Sequence, residues 1–139
     1  DKEGWLTIKF PNGKGGLKKL ENPDHFSVLK FPYKAPESGY KNRSEYYLKR
    51  PPYQSNLDDS MLGYIFKSVT KVSEGGNVEE AYYGKILDEI VFSPVDEEEN
   101  GFHGFVRLTY YLNPEANERN IEFDPGRNPL KNVEDPFPP

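Results

Sequence analysis

Tyrosine doublets recur along this chain, at Tyr46-Tyr47, Tyr82-Tyr83 and Tyr110-Tyr111, in a sequence with almost no helical periodicity. In a strand, successive side chains point to opposite faces, so each doublet divides its rings between a core and a surface. Aromatic residues favour strands, and here there are ten Tyr, nine Phe and one Trp among 139 residues. Thirteen prolines and twelve glycines are spread along the same chain, which suits short strands joined by turns. Together these features predict an all-β fold.

The strand signals can be placed. Residues 5–10 alternate cleanly, with Leu6, Ile8 and Phe10 on one face and Trp5, Thr7 and Lys9 on the other. A Gly-rich connection follows at residues 11–16. A second strand is expected at residues 25–33, a loop at 34–42, and a third strand at 44–50, closed by Pro51-Pro52. One helical turn is expected at residues 56–62, capped by Asp58, Asp59 or Ser60. Residues 62–72 and 78–92 make the strongest hairpin, because Gly75-Gly76 lies in the reversal between them. Its second arm has break points at Gly84 and Asp88. Strands at 102–112 and 120–123 complete the set. Seven or eight antiparallel strands with polar loops predict a β-sandwich, jelly-roll or immunoglobulin-like, with a barrel as the alternative. Residues 1–130 are its single domain, and 131–139 a loose proline-rich tail.

Composition narrows the partners. The formal net charge of −5 argues against a nucleic-acid backbone. The charge is uneven: residues 1–70 hold twelve Lys/Arg against eight Asp/Glu, net +4, and residues 71–139 hold six against fifteen, net −9. No run of residues is apolar enough to cross a bilayer. The absence of cysteine excludes disulfides, thiolate metal sites and cysteine nucleophiles. Starting at Asp1 without an initiator Met, the chain reads as a processed or trimmed product, and a removed leader fits that start. The sequon Asn42-Arg43-Ser44 matters only in a glycosylating host.

Parity then selects the rings expected to face outward. In residues 102–112, Val106, Leu108, Tyr110 and Leu112 form an apolar core row opposite Phe105, Arg107, Thr109 and Tyr111. In residues 78–92, Tyr82, Ile86, Ile90 and Phe92 read as core, and Tyr83, Lys85 and Glu89 as surface. With Leu6, Ile8 and Phe10 buried, Trp5 lies outside. The candidate ligand-binding set is therefore Trp5, Tyr83, Lys85, Phe105, Arg107 and Tyr111. The apolar C–H faces of a pyranose stack on aromatic rings, while Arg and Lys reach its hydroxyls. The alternative is that these rings pack beneath a long loop, such as residues 34–42 or the tail, or against the second sheet. A bulge at Gly84 or Gly104 would reverse the parity.

Reaction chemistry has little support. His25 and His103 each fall in a predicted strand, with no nucleophile-elbow pattern beside them. The doublets Asp58-Asp59, Glu79-Glu80 and Asp88-Glu89 point to opposite faces of a strand, so none is a glycosidase pair by itself, although cross-strand pairs such as Glu80 with Glu122 remain open. Oxygen-rich turns around Asp58, Asp96 and Asp124 suit structural calcium by composition, without the EF-hand spacing. Asn12-Gly-Lys-Gly-Gly16 lacks the full phosphate-loop pattern and reads as a turn.

The stretch Phe105-Val-Arg-Leu-Thr-Tyr-Tyr-Leu-Asn-Pro114, continued by Arg119-Asn-Ile-Glu-Phe-Asp-Pro125, resembles exported β-modules of polysaccharide-degrading bacteria. These include Bacteroidetes-type lipoproteins and accessory modules of carbohydrate-active enzymes. The resemblance covers about residues 80–130 and implies export to the cell surface, a β-sandwich and glycan binding without catalysis; no residue role follows from it. The expected function is a non-catalytic carbohydrate-binding module, within a larger multimodular protein, that takes a polysaccharide or oligosaccharide. A protein-interaction or structural module of an exported adhesin or lipoprotein is the alternative. A small glycan-active enzyme comes third.

Overall fold

The run Gly63-Tyr64-Ile65-Phe66 is buried at every position, so this part of the chain needs cover on two faces rather than one. The computed structural model describes residues 2–21, 31–50, 54–57, 61–93, 97–98, 101–102 and 104–122. Within them the strands are β1 (Lys2–Lys9), β2 (Gly16–Glu21), β3 (Arg43–Arg50), β4 (Gln54–Ser55), β5 (Met61–Val72), β6 (Val78–Ser93), β7 (Glu97–Glu98), β8 (Gly101–Phe102) and β9 (Phe105–Leu112). The only helical element among the described residues is a 3-10 turn at Pro11–Gly13. No described helix is long and apolar enough to cross a membrane.

Seven of these strands form two antiparallel sheets, ordered β1-β3-β4 and β2-β5-β6-β9, as expected for an all-β sandwich. β7 and β8 make a separate two-residue hairpin. Two expectations need correction. Strand β2 begins at Gly16, the last residue of the connection expected at 11–16, and runs on through residues for which no element was expected; the helical turn expected at 56–62 is absent at its described positions, since Met61 and Leu62 begin β5. Most of the strand expected at 25–33 lies outside the described residues, as do Asp58, Asp96, His25, His103, Asp124 and the tail. The strand expected at 120–123 reduces to a single bridge, Lys34 to Asn120.

One core lies between the sheets. Leu17, Tyr64, Phe66, Ile86 and Ile90 of the four-stranded sheet meet Leu6, Ile8, Phe10 and Tyr46, so the alternation read in β1 buries the expected face. A second core lies on the opposite face of the four-stranded sheet, where Ile65, Val69, Ala81 and Tyr83 pack against Ala35 and Ile121 with Phe31 and Tyr40 beside them. Its cover is the segment 31–41 together with residues 113–122. These two segments are joined by Ala35 N–H to the Arg119 carbonyl (2.7 Å) and Ile121 N–H to the Tyr33 carbonyl (2.9 Å).

Asparagines replace a strand where β9 ends. Asn117, at φ 63°, donates its backbone N–H to the Ala81 carbonyl (2.7 Å) and accepts from Ala81 N–H through Oδ1 (3.0 Å). Asn113 is buried and satisfied, donating to the Asn120 carbonyl (2.7 Å) and accepting from Glu115 N–H (2.9 Å). In a buried amide that completes both roles in this way, the hydrogen bonds offset the cost of leaving water. Asn42 of the sequon likewise donates to the Phe10 carbonyl (2.8 Å) inside the fold.

Gly84 is where the two sheet faces are pinned together. It pairs with Phe66 across the β5–β6 ladder, and a Cβ there would overlap the Phe66 ring and the Tyr111 carbonyl. No bulge occurs at Gly84; β6 is irregular between Val78 and Glu80 against β5 and between Leu87 and Val91 against β9. Gly84→Ala should therefore destabilise the fold by about 1–3 kcal/mol through overpacking. Urea unfolding checks this, and an unchanged midpoint would show that β6 can yield locally.

Candidate functional site

The six residues singled out in the sequence do not come together. Trp5 stands on the outer face of the three-stranded sheet, 67% exposed. Tyr83 was expected outside but is only 7% exposed, because segment 31–41 folds over that face and places it in the second core. Lys85 and Tyr111 are register partners on this same covered face. The Lys85 ammonium lies 5.3 Å from the Phe31 ring centre and 6.0 Å from that of Tyr111, so its charge already faces rings of its own chain. Desolvation holds the Lys85 pKa below its ordinary value, and Glu122 opposes the shift.

β9 departs from its reading more widely. Phe105 and Arg107 are exposed, as expected, but so are Val106, Leu108, Tyr110 and Leu112, the row expected in the core. The physical reason is strand count. β9 is the edge of a four-stranded sheet facing a three-stranded one, and among the described residues its side chains other than Tyr111 extend past the cover.

The outer face of the three-stranded sheet holds the clearest constellation. Register pairs Glu3 with Lys49, Trp5 with Tyr47, Thr7 with Glu45 and Lys9 with Arg43, all at positions that share this face. The Trp5 and Tyr47 ring centres are 4.8 Å apart, with planes inclined at 41°. Glu3 accepts a hydrogen bond from the Tyr47 hydroxyl (3.2 Å) and an ion pair from Lys49 (3.5 Å), which fixes the tyrosine at its polar tip. Its backbone is held too, since Tyr47 N–H donates to Asn56 Oδ1 (2.6 Å). Desolvation, then the charge of Glu3 and the hydrogen bond to it, push the Tyr47 phenol above its ordinary value, against Lys49. The phenol is thus a neutral donor at physiological pH. The result is a bent aromatic pair on an otherwise polar sheet.

Tyr47 was missed because the sequence does not say which strand lies beside β1. The doublet itself behaves as parity requires: Tyr46 points inward, edge-on to Tyr64 with ring centres 6.3 Å apart, while Tyr47 points out.

A cleft of about 440 Å³ opens beside this strand, between β3 and the edge strand β2. Its floor is the edge of the core at Leu17, Tyr46 and Tyr64, and Lys18, Lys19 and Lys41 lie around it. None of the three lysines was in the expected site. Among the described residues no group of three or more His, Asp or Glu is placed to hold a metal. Comparison with protein-family models, with curated proteins and with solved structures finds no match to this chain.

The covered face also yields a pH dependence. Tyr40 donates its hydroxyl to the Pro36 carbonyl (2.7 Å), and burial first, then Tyr83, push its pKa well above the ordinary 10.0, while Arg119 opposes. The unfolded chain loses this proton near pH 10.0 and the folded one keeps it, so the contribution is complete below that pH and is lost as pH rises beyond it. Tyr40→Phe should flatten the fall in Tm between roughly pH 9 and 11. At neutral pH the same change should cost about 0.5–1.5 kcal/mol for the lost hydrogen bond. Thermal melts of both proteins across that range check the sign and the size.

Proposed function

We propose that this protein is a non-catalytic glycan-binding module whose platform is the Trp5–Tyr47 pair. The observation that carries this reading is an exposed indole held 4.8 Å from a tyrosine on a strand face whose other side chains are polar. A sugar ring stacks on apolar aromatic faces, and Glu3, Lys49 and Glu45 lie at register positions from which they reach its hydroxyls. The ligand is a polysaccharide or oligosaccharide, met outside the cell by an exported bacterial module of a larger protein. Affinities from one such platform run roughly from micromolar to millimolar.

A second reading has its own observation. Five of the eight large hydrophobic side chains exposed among the described residues lie on β9: Phe105, Val106, Leu108, Tyr110 and Leu112. An open edge strand with apolar faces is a template for an added strand. A second copy of this chain fits best, because β9 carries a single charge, Arg107, and antiparallel pairing with itself meets little repulsion.

Affinity electrophoresis against neutral and acidic polysaccharides tests the first reading. Trp5→Ala and Tyr47→Ala should each weaken binding about tenfold or more, with the melting transition retained. Retention of full binding in both variants would remove the platform. Sedimentation velocity tests the second reading: the expected outcome is a concentration-dependent dimer that Leu108→Lys abolishes, and a monomer at all concentrations would remove it.

A further inference from the structure

We propose that the Trp5–Tyr47 platform holds one uncharged pyranose unit at a time, so that it takes neutral glycans and turns acidic ones away. Both the size and the charge class rest on the reading of this pair as a glycan platform, and both go beyond it.

Register sets the size. Along the outer face, Trp5 has Glu3 and Thr7 as its neighbours on β1, and Tyr47 has Lys49 and Glu45 on β3. On the far side of β3, the position beside Lys49 is Gln54 of β4. None of these is aromatic, so the two rings stand as an isolated cross-strand pair. A glycan that gains affinity unit after unit needs further rings along its path, and none of these positions supplies one. The ring centres are 4.8 Å apart, the spacing of two neighbouring strands, and their planes are inclined at 41°. Planes so inclined do not make one flat floor for two successive sugars. One sugar stacks on the indole and meets the tyrosine at an angle.

Charge sets the class. Each carboxylate beside the rings is matched by a cation: Glu3 by Lys49 at 3.5 Å, and Glu45 by Arg43 at 2.6 Å. One ion pair lies at either end of the aromatic pair, and the surface beneath a stacked sugar carries no net charge. Lys9 is the remaining charge at these register positions, opposite Arg43 and four residues along β1 from Trp5, about 13 Å away. Exposed pairs of this kind add little to stability. They do fix the local charge, because a uronate or sulfate on the platform meets Glu3 and Glu45 where Lys49 and Arg43 are already engaged. Discrimination of this sort works through repulsion as much as attraction.

The same groups suit a neutral sugar. A hydroxyl both donates and accepts, so a carboxylate and an ammonium held side by side serve both of its roles. The Tyr47 hydroxyl donates to Glu3 (3.2 Å) and keeps its oxygen as an acceptor. Thr7, exposed opposite Glu45, adds a second hydroxyl to the face. The platform is also set before a ligand arrives, since Asn56 accepts from Tyr47 N–H (2.6 Å) and donates to the Glu45 carbonyl (3.1 Å).

The test uses calorimetry and amide chemical-shift mapping of the whole chain. The probes are the two- and six-unit members of the cello-, laminari-, malto- and manno-oligosaccharide series, with trigalacturonate as the acidic sugar. The expected result is binding of at least one neutral series, with shifts at residues 3–9 and 43–49. Its six-unit member should bind only about threefold more tightly than its two-unit member, the statistical ratio of six units to two. Raising salt from roughly 0.02 to 0.5 M should change this binding by less than about twofold. Trigalacturonate should bind at least about tenfold more weakly, and Glu3→Gln/Glu45→Gln should admit it by freeing Lys49 and Arg43. Three results overturn the proposal and leave a glycan platform standing: a gain above about tenfold from two units to six, trigalacturonate binding the parent as tightly as the neutral sugar, or its continued refusal by the double variant. Binding of none of these saccharides, or full binding in both Trp5→Ala and Tyr47→Ala, removes the platform and the proposal with it.

Discussion

Two-sided burial of the β5–β6 hairpin is the constraint on which the rest of the molecule depends. Ile65 and Ile90 are fully buried, yet they belong to different cores on opposite faces of the same sheet. A hairpin with apolar residues on both faces is not satisfied by a single partner sheet, because one set of side chains would remain in water. The three-stranded sheet covers one face. The other is covered by irregular chain, and irregular chain brings its own unpaired backbone groups, which must be satisfied before it can be buried. That requirement accounts for Asn113, Asn117 and Asn120, whose side chains serve as hydrogen-bonding partners where a ladder would otherwise run.

This arrangement decides which surface is left for function. A flat sheet face is available for stacking only where nothing folds back over it. On the four-stranded sheet, segments 31–41 and 113–122 take up the face that carries Tyr83, Lys85 and Tyr111, and their rings and ammonium satisfy one another. Among the described residues, the outer face of the three-stranded sheet keeps its alternate side chains in water. There a cross-strand aromatic pair contributes about 0.5–1.5 kcal/mol to the fold, and one of its rings stays two-thirds exposed.

Much of this was legible in the residues, and what was not has physical causes. Strand parity worked in β1 and at Tyr46-Tyr47, where one face is buried and the other wet. It failed at Tyr83, because the continuous run from Gly63 to Phe66 signals two-sided burial and the neighbouring strand was read as alternating. It failed at Tyr110 for the opposite reason: alternation identifies two faces but not whether the partner sheet is wide enough to cover either. β2 went unread because Lys18-Lys19 interrupts its apolar positions, and those same two lysines now line the cleft. Register is the last gap. Nothing local to Trp5 names Tyr47 as its neighbour, since 41 residues lie between the two and the gap is closed only in the folded chain.

β3 connects the exposed platform to the core beneath it, and its pleat keeps the two distinct. Tyr46 and Tyr47 are consecutive, so one packs into the core against Tyr64 and the next faces the platform, separated by the thickness of a single sheet. Asn56 ties this stretch together from outside, accepting from Tyr47 N–H and donating to the Glu45 carbonyl at 3.1 Å. Displacement of the β3 backbone would therefore disturb both surfaces, whereas side-chain changes act on one at a time. The two faces also differ in what holds them: Tyr46 is fixed by burial against Tyr64, while Tyr47 is fixed at its polar tip by Glu3. The pleat of β3 thus lets one strand serve the core with Tyr46 and hold an exposed ring with Tyr47, and it is the backbone anchor from Asn56 that keeps the two roles in register.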